Sequence, residues 1–87
     1  MEPSKDDVLK RLRRIEGQIK GIHKMIDNDQ CCNDVLIQVA AAKAAIGKVG
    51  GIIMENYSKE CIRKAIEQGD EEENIENLIN TIIKYSK

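Results

Sequence analysis

The apolar residues of this chain follow a helical period that decides its fold class. Intervals of four and three residues alternate through two segments, the first being Val8, Leu12, Ile15, Ile19, Ile22 and Ile26 and the second Val35, Val39, Ala42, Ile46, Val49 and Ile53. Such a heptad seam packs against another helix at a shallow angle. A short polar break at residues 28–30 separates the two segments, so they predict an antiparallel helix hairpin.

A third amphipathic helix is predicted near the C-terminus. Its apolar positions are Ile75, Leu78, Ile79, Ile82 and Ile83. Polar residues mark the expected helix starts: Ser4 and Asp7 have the spacing of a capping box, Asp29 would cap the second helix, and Asp70 with Glu73 would cap the third. The sequence therefore predicts an all-α fold in one domain, residues 1–87, with a long helix hairpin and a short C-terminal helix.

The size of the chain favours an oligomer. A helical chain of 87 residues that contains no Phe or Trp has difficulty burying a sufficient core alone. We recognise no signal peptide and no apolar run that approaches the roughly 18 residues of a membrane span. The expectation is a soluble cytoplasmic protein.

Charge is distributed unevenly, although the net charge is only -1. Residues 10–24 contain one acid, Glu16, and six bases: Lys10, Arg11, Arg13, Arg14, Lys20 and Lys24. Residues 67–76 contain six acids and no base. A polyanion such as DNA would bind the first half of the chain. The alternative is that both segments are ordinary solvated helix faces.

Two cysteines, Cys32 and Cys61, stand near the ends of the long second helical run. A helix from Cys32 to about Tyr57 is on the order of 38 Å long, whereas a disulfide needs Cα atoms within about 7 Å. Two copies packed antiparallel would instead bring Cys32 of one chain beside Cys61 of the other. In the first helical turn, Cys32 would also be favoured as a thiolate. The alternative is that all three cysteines are inert buried side chains.

The chemistry open to these thiols is limited. No C-x-x-C spacing is present, which argues against structural zinc. Cu(I) accepts two or three soft donors, and Cys31 could add one, although neighbouring residues on a helix point about 100° apart. The pair could also be oxidised to a disulfide or bridged by additional sulfur. His23 is the only histidine, and no nucleophile and base pair indicates an enzyme.

Several segments resemble one known family. They are RLRRIEGQ at 11–18, GI at 21–22, MI at 25–26, CNDVL at 32–36, Gln38 and Cys61, and together they are similar to the CsoR/RcnR family of bacterial helical repressors. The resemblance implies a three-helix subunit, a dimer with an antiparallel four-helix core, and a disc-shaped tetramer. It also implies release of operator DNA when an inducer occupies an intersubunit cysteine site. DNA contact through Arg11 and Lys48 is implied as well. We expect further DNA contacts from Arg13, Arg14, Gln18, Lys20 and Lys43.

The residues around the cysteines distinguish branches of that family. The copper sensors have a His four residues before the second Cys, and this chain has Tyr57 there. Those sensors also have a Tyr before the first Cys and a Glu in the last helix that support the metal ligands, and these positions correspond to Cys31 and Asn77. His23 matches no histidine of the nickel-type members. Two cysteines without that His resemble CstR, the persulfide-sensing branch.

The sequence thus predicts a repressor that senses reactive sulfur species. Cys32 and Cys61 of the partner subunit would become linked by a di- or polysulfide, with Cys31 as an accessory thiol and with no metal or other cofactor. The first alternative is a Cu(I)-sensing repressor of copper efflux genes with Cys31, Cys32 and Cys61 as ligands. The second is a helical scaffold that does not bind DNA.

Overall fold

A computed structural model describes residues 4–69 and 71–86. Three helices account for almost all of them: α1 (Ser4–Asp27), α2 (Cys32–Gln68) and α3 (Glu71–Ser86). No strand is present in these two ranges. The predicted all-α fold with three helices is therefore confirmed. The predicted cap at Asp70 lies outside the described residues.

The second helix is longer than its apolar seam. The seam ends at Ile53, but α2 continues without interruption to Gln68. Gly69 follows in the left-handed region, with φ of 75°, and its N–H donates to the carbonyl of Ala65 at 3.0 Å. Glycine adopts this conformation at little steric cost, so it ends the helix.

The turn between α1 and α2 corrects one prediction. Asp29 has φ of 54°, its N–H donates to the Ile26 carbonyl at 3.1 Å, and the Gln30 N–H donates to the Met25 carbonyl at 2.9 Å. This pair of bonds is a Schellman motif, which closes the C-terminus of a helix. Asp29 therefore ends α1, and the prediction that it is the N-cap of α2 is wrong.

Cys31, and not Asp29, has the N-cap position of α2. Its carbonyl accepts the first helical hydrogen bond, from the Val35 N–H at 3.1 Å, while the helix itself begins at Cys32. Cys31 thus has the position of an N-cap, outside the regular helix. A thiol stands where Ser, Thr, Asp or Asn is usual.

The chain forms two compact units, residues 1–52 and 53–87. In the first unit the N-terminal part of α1 packs against α2 through Val8, Ile15 and Val49, which are all buried. Val8 lies early in α1 and Val49 lies well along α2, so the two segments run antiparallel, as the seams predict. Much of the seam is nevertheless left exposed, including Ile19 (56%), Ile26 (62%), Val39 (42%) and Ile46 (47%).

The second unit contains the end of α2 and all of α3 that is described. Its buried residues are Cys61 and Ala65, one turn apart on α2. The Tyr57 hydroxyl lies 3.4 Å from Oγ1 of Thr81 and connects the two helices. Ile79 and Ile83 of α3 remain about half exposed, so this unit too presents apolar surface.

The length and composition of α2 correct another expectation. Among the described residues, α2 is the one helix whose length and apolar composition would allow it to cross a membrane. The statement that no apolar run approaches a membrane span is therefore wrong. The core helix of a soluble protein has the same length and composition.

Candidate functional site

Two thiols lie together where α2 begins. Cys31 and Cys32 are both free and exposed. Cys32 also lines an open cavity of about 560 Å³ in the first unit, together with Ile26, Asp29, Gln30, Val35 and Leu36. The Schellman turn forms one wall of this cavity through Asp29 and Gln30. Cys32 is thus accessible to a ligand or to a second protein chain.

The position of Cys31 outside the helix affects which donors can converge. The sequence predicts that Cys31 and Cys32 do not both face one metal unless the geometry at the helix start is irregular. Adjacent residues inside a helix are indeed about 100° apart. Since Cys31 precedes the first helical residue, this angular restriction does not apply to the pair.

Cys61 has a different environment in the second unit. It is free but buried, with 8% of its surface exposed. Tyr57 lies one turn earlier on α2, and its hydroxyl is within 3.4 Å of Thr81 Oγ1. The Thr81 hydroxyl in turn donates to the Asn77 carbonyl at 3.0 Å. A half-buried phenol, rather than an imidazole, therefore precedes this thiol.

The charged residues that flank Cys61 neutralise one another. Arg63 forms ion pairs with Glu60 and, at 2.8 Å, with Glu67. The hydrogen bond from Arg63 lowers the pKa of the Glu60 carboxyl, and the bonds to Glu60 and Glu67 raise the pKa of Arg63. Arg63 is consequently paired, in contrast to most bases of α1.

No group of three or more His, Cys, Asp or Glu side chains converges within the described part of a single chain. His23 is exposed on α1 and has no such neighbours. The free thiols suit a soft ion such as Cu(I), because thiolates are soft ligands. The donor type therefore fits copper.

The predicted DNA-binding residues all belong to the first unit. Arg13, Arg14, Lys20, Lys43 and Lys48 are exposed. Arg11 donates from Nε to Asp7 at 3.0 Å. Gln18 is half-buried, and its Oε1 atom is buried without a hydrogen-bond partner in the described structure. The helices thus present most of these bases to solvent, as a surface for an anionic partner requires.

Sequence comparison shows which proteins this chain is similar to. Residues 4–84 match the family model described as metal-sensitive transcriptional repressor. The copper-sensing transcriptional repressor CsoR of Bacillus subtilis (strain 168) is 40% identical over 83 residues, which are 95% of this chain and 82% of that protein. The copper-sensing transcriptional repressor RicR of Mycobacterium tuberculosis is 40% identical over 65 residues, which are 75% and 68% of the two chains.

Solved structures give a similar result. The copper-sensing repressor CsoR with Cu(I) from Geobacillus thermodenitrificans NG80-2 matches with a TM-score of 0.89 and 34% identity, over 100% of this chain and 91% of that one. The nickel-responsive transcriptional regulator InrS matches with a TM-score of 0.85 and 33% identity, over 98% and 96%.

These comparisons correct the prediction that the protein uses no metal or other cofactor. Both sequence relatives described above are copper-sensing, and one of the matching structures was determined with Cu(I). The prediction weighted the missing histidine at Tyr57 above the soft character of the thiols. A thiolate pair alone can bind Cu(I), so loss of the histidine does not exclude a copper site.

Proposed function

This chain belongs to the family of metal-sensitive transcriptional repressors, and on that premise we propose that it is a cytoplasmic repressor that responds to Cu(I). Membership confirms the resemblance to CsoR-type repressors and the prediction that the protein is not an enzyme. The proposal concerns the inducer, the residues that hold it, and the consequence for DNA. The observation that carries it is the pair of free, exposed thiols at the start of α2.

Sulfur supplies the whole donor set in this proposal. Cys32 and Cys61 of the partner subunit are two soft ligands, and Cys31, at the N-cap of α2, is the third. Cu(I) accepts two or three such ligands. The Tyr57 hydroxyl, which contacts Thr81, is a harder donor and stays outside the ligand set.

The donors come from two chains. Cys32 and Cys61 are 29 positions apart on α2, and a helix advances 1.5 Å per residue. One helix therefore does not offer both thiols to a single ion. An antiparallel arrangement of two subunits would place the start of one α2 beside the end of the other and form two equivalent sites.

The exposed seam supports that arrangement. A large apolar surface on a small chain marks an interface, and Ile19, Ile26, Val39 and Ile46 are exposed on α1 and α2. Packing these residues against a second copy gives the antiparallel four-helix dimer that the family resemblance implies. Two such dimers would form the disc-shaped tetramer.

Operator DNA is the second partner. The residues proposed to contact it are Arg11, Arg13, Arg14, Gln18, Lys20, Lys43 and Lys48. Binding that depends on phosphate contacts weakens steeply when several of them are lost together. Thiols that are held to one ion across the interface would fix the packing of two subunits. This constraint would move basic residues on both subunits relative to the phosphates and release the DNA.

A Cu(I) titration of the protein bound to its own upstream DNA tests the proposal. We expect fluorescence anisotropy to show release at one Cu(I) per subunit. Cys32→Ser and Cys61→Ser variants should bind DNA like the wild type but stay bound when copper is added. DNA affinity that does not change with Cu(I) would overturn the copper assignment.

Reactive sulfur is the second candidate inducer, and the phenol at Tyr57 in place of an imidazole favours it. The Cys32 thiolate would attack a sulfur atom of a polysulfide and release a shorter polysulfide anion, leaving a Cys32 persulfide. Attack by the partner subunit's Cys61 thiolate on the Cys32 sulfur would then expel hydrosulfide and form a disulfide. Retention of the added sulfur would need a further polysulfide as the oxidant and would give a longer bridge.

Mass spectrometry after polysulfide treatment separates this candidate from copper. A Cys32–Cys61 linked dimer that no longer binds DNA would support sulfur sensing. If Cys32→Ser still releases DNA with polysulfide, the sulfur mechanism is wrong.

A further inference from the structure

One face of α1 carries positive charge along most of its length. With 3.6 residues per turn, the positions opposite the apolar seam include five bases and two glycines: Lys10, Arg13, Arg14, Gly17, Lys20, Gly21 and Lys24. We call these seven residues the outer face of α1. All of them are exposed. The five bases form no ion pair within the described structure, whereas Arg11, beside this face, is paired with Asp7.

The two glycines lie in the middle of this basic surface. Glycine is less favourable than alanine inside a helix. Beyond the adjacent residues and the local helix backbone, a methyl group at Gly17 or Gly21 would have no atom within 4 Å, and neither residue has a positive φ. Neither packing nor backbone conformation within the described chain therefore requires glycine at these positions. A requirement from outside the chain would explain both.

We propose that the outer face of α1 lies along one phosphate strand of the operator, with the helix backbone at Gly17 and Gly21 in direct contact with that strand. The inference rests on the proposed DNA-binding function and extends its surface to Lys10, Gly17, Gly21 and Lys24. The absence of side chains at the two glycines lets the strand approach the helix axis more closely. Bases on both sides then bind neighbouring phosphates.

The dimensions and charges of the surface agree with such a partner. From Lys10 to Lys24 the helix advances about 21 Å, at 1.5 Å per residue, which is enough to follow several phosphates. Asp6 lies on the same side one turn before Lys10, so the surface suited to an anion begins at Lys10. The same face would repel its copy in a second subunit. It also lacks the large apolar residues with which a helix enters a membrane surface.

Glycine to alanine substitutions test the inference, because stability and DNA affinity should change in opposite directions. Gly17→Ala and Gly21→Ala should raise the thermal midpoint by about 4 °C, since alanine favours the helix and its methyl group meets nothing beyond the local helix backbone. Each should weaken operator binding about tenfold in fluorescence anisotropy at fixed salt, because phosphate contacts are lost. Sedimentation should show the wild-type oligomer.

His23→Ala is the matched control. It changes an exposed residue of the same helix that lies off the outer face, and its DNA affinity should equal that of the wild type. Lys24→Gln adds no bulk and should reduce the slope of log affinity against log salt by about one per contacting subunit.

The outcomes separate this inference from the function on which it rests. Wild-type protein that fails to bind the operator would refute the DNA-binding function itself. Wild-type protein that binds, together with glycine variants of unchanged affinity or a Lys24→Gln variant of unchanged salt slope, would overturn only the contact along α1.

Discussion

The hydroxyl of Tyr57 lies 3.4 Å from Oγ1 of Thr81, which connects α2 to α3 one turn before Cys61. Position 57, where the family resemblance implies a His in copper sensors, is thus engaged in a contact between helices. The contact with Thr81 indicates a structural role for Tyr57. Cysteine thiolates are then the soft ligands proposed for a metal ion. The contact also makes position 57 a suitable place to test the ligand set.

Tyr57→His should increase the affinity for Cu(I) at least about tenfold, because an imidazole one turn before Cys61 would add a donor with a preference for copper. Competition with a Cu(I) chelator measures the change. Tyr57→Phe is the control, since it removes only the hydroxyl. It should keep wild-type copper affinity and lower the free energy of unfolding by about 0.5–1.5 kcal/mol. Equal copper affinity in all three proteins would show that position 57 does not face the ion.

Cys31→Ser should change the number of sulfur ligands but not abolish copper binding. X-ray absorption of the Cu(I) complex should give three sulfur neighbours for the wild type and two for the variant, because Cys32 and Cys61 of the partner subunit remain. Cys32→Ser should bind copper far more weakly. A wild-type spectrum with only two sulfur neighbours would show that Cys31 is not a copper ligand.

In the part of the chain that the structure describes, two residues outside the helices have positive φ, and they predict opposite effects of substitution. Gly69, with φ of 75°, follows α2, so Gly69→Ala should lower the free energy of unfolding by about 1 kcal/mol. Asp29, with φ of 54°, should tolerate glycine, and Asp29→Gly should be neutral or stabilising by a few tenths of a kcal/mol. Chemical denaturation measures both. A Gly69→Ala variant as stable as the wild type would contradict the role of that residue as the end of α2.

The same two residues show how far the sequence could predict the fold. The apolar period predicts the helices, because burying one stripe of a helix leaves a repeat that can be counted. It does not predict whether Asp29 ends α1 or caps the start of α2, since Asp is favoured both at N-caps and in the left-handed region. The Schellman bonds of Asp29 and Gln30 decide that question.

The candidate site was only partly predictable for a related reason. Spacing identifies Cys32 and Cys61 as the functional pair to test, but it does not define which side chains surround each thiol. Whether Cys31 can join them depends on the residue at which α2 begins, and the misassigned cap placed that start incorrectly. The choice between copper and sulfur depends on donors supplied by another subunit, which one chain's sequence does not position.

The exposed seam predicts how the subunits can be separated. Ile46 is 47% exposed in the single chain, and in the proposed dimer it is buried against the second copy. Ile46→Glu would bury a charge without a partner, so it should weaken association by about 3 kcal/mol or more. Ala41→Glu, on the opposite side of α2, is the control and should leave association unchanged. Sedimentation velocity distinguishes the species, and an Ile46→Glu protein of wild-type size would contradict a dimer built on this seam. The proposed copper site takes Cys61 from the partner subunit, so the dissociated variant should also lose tight Cu(I) binding while its three cysteines remain present.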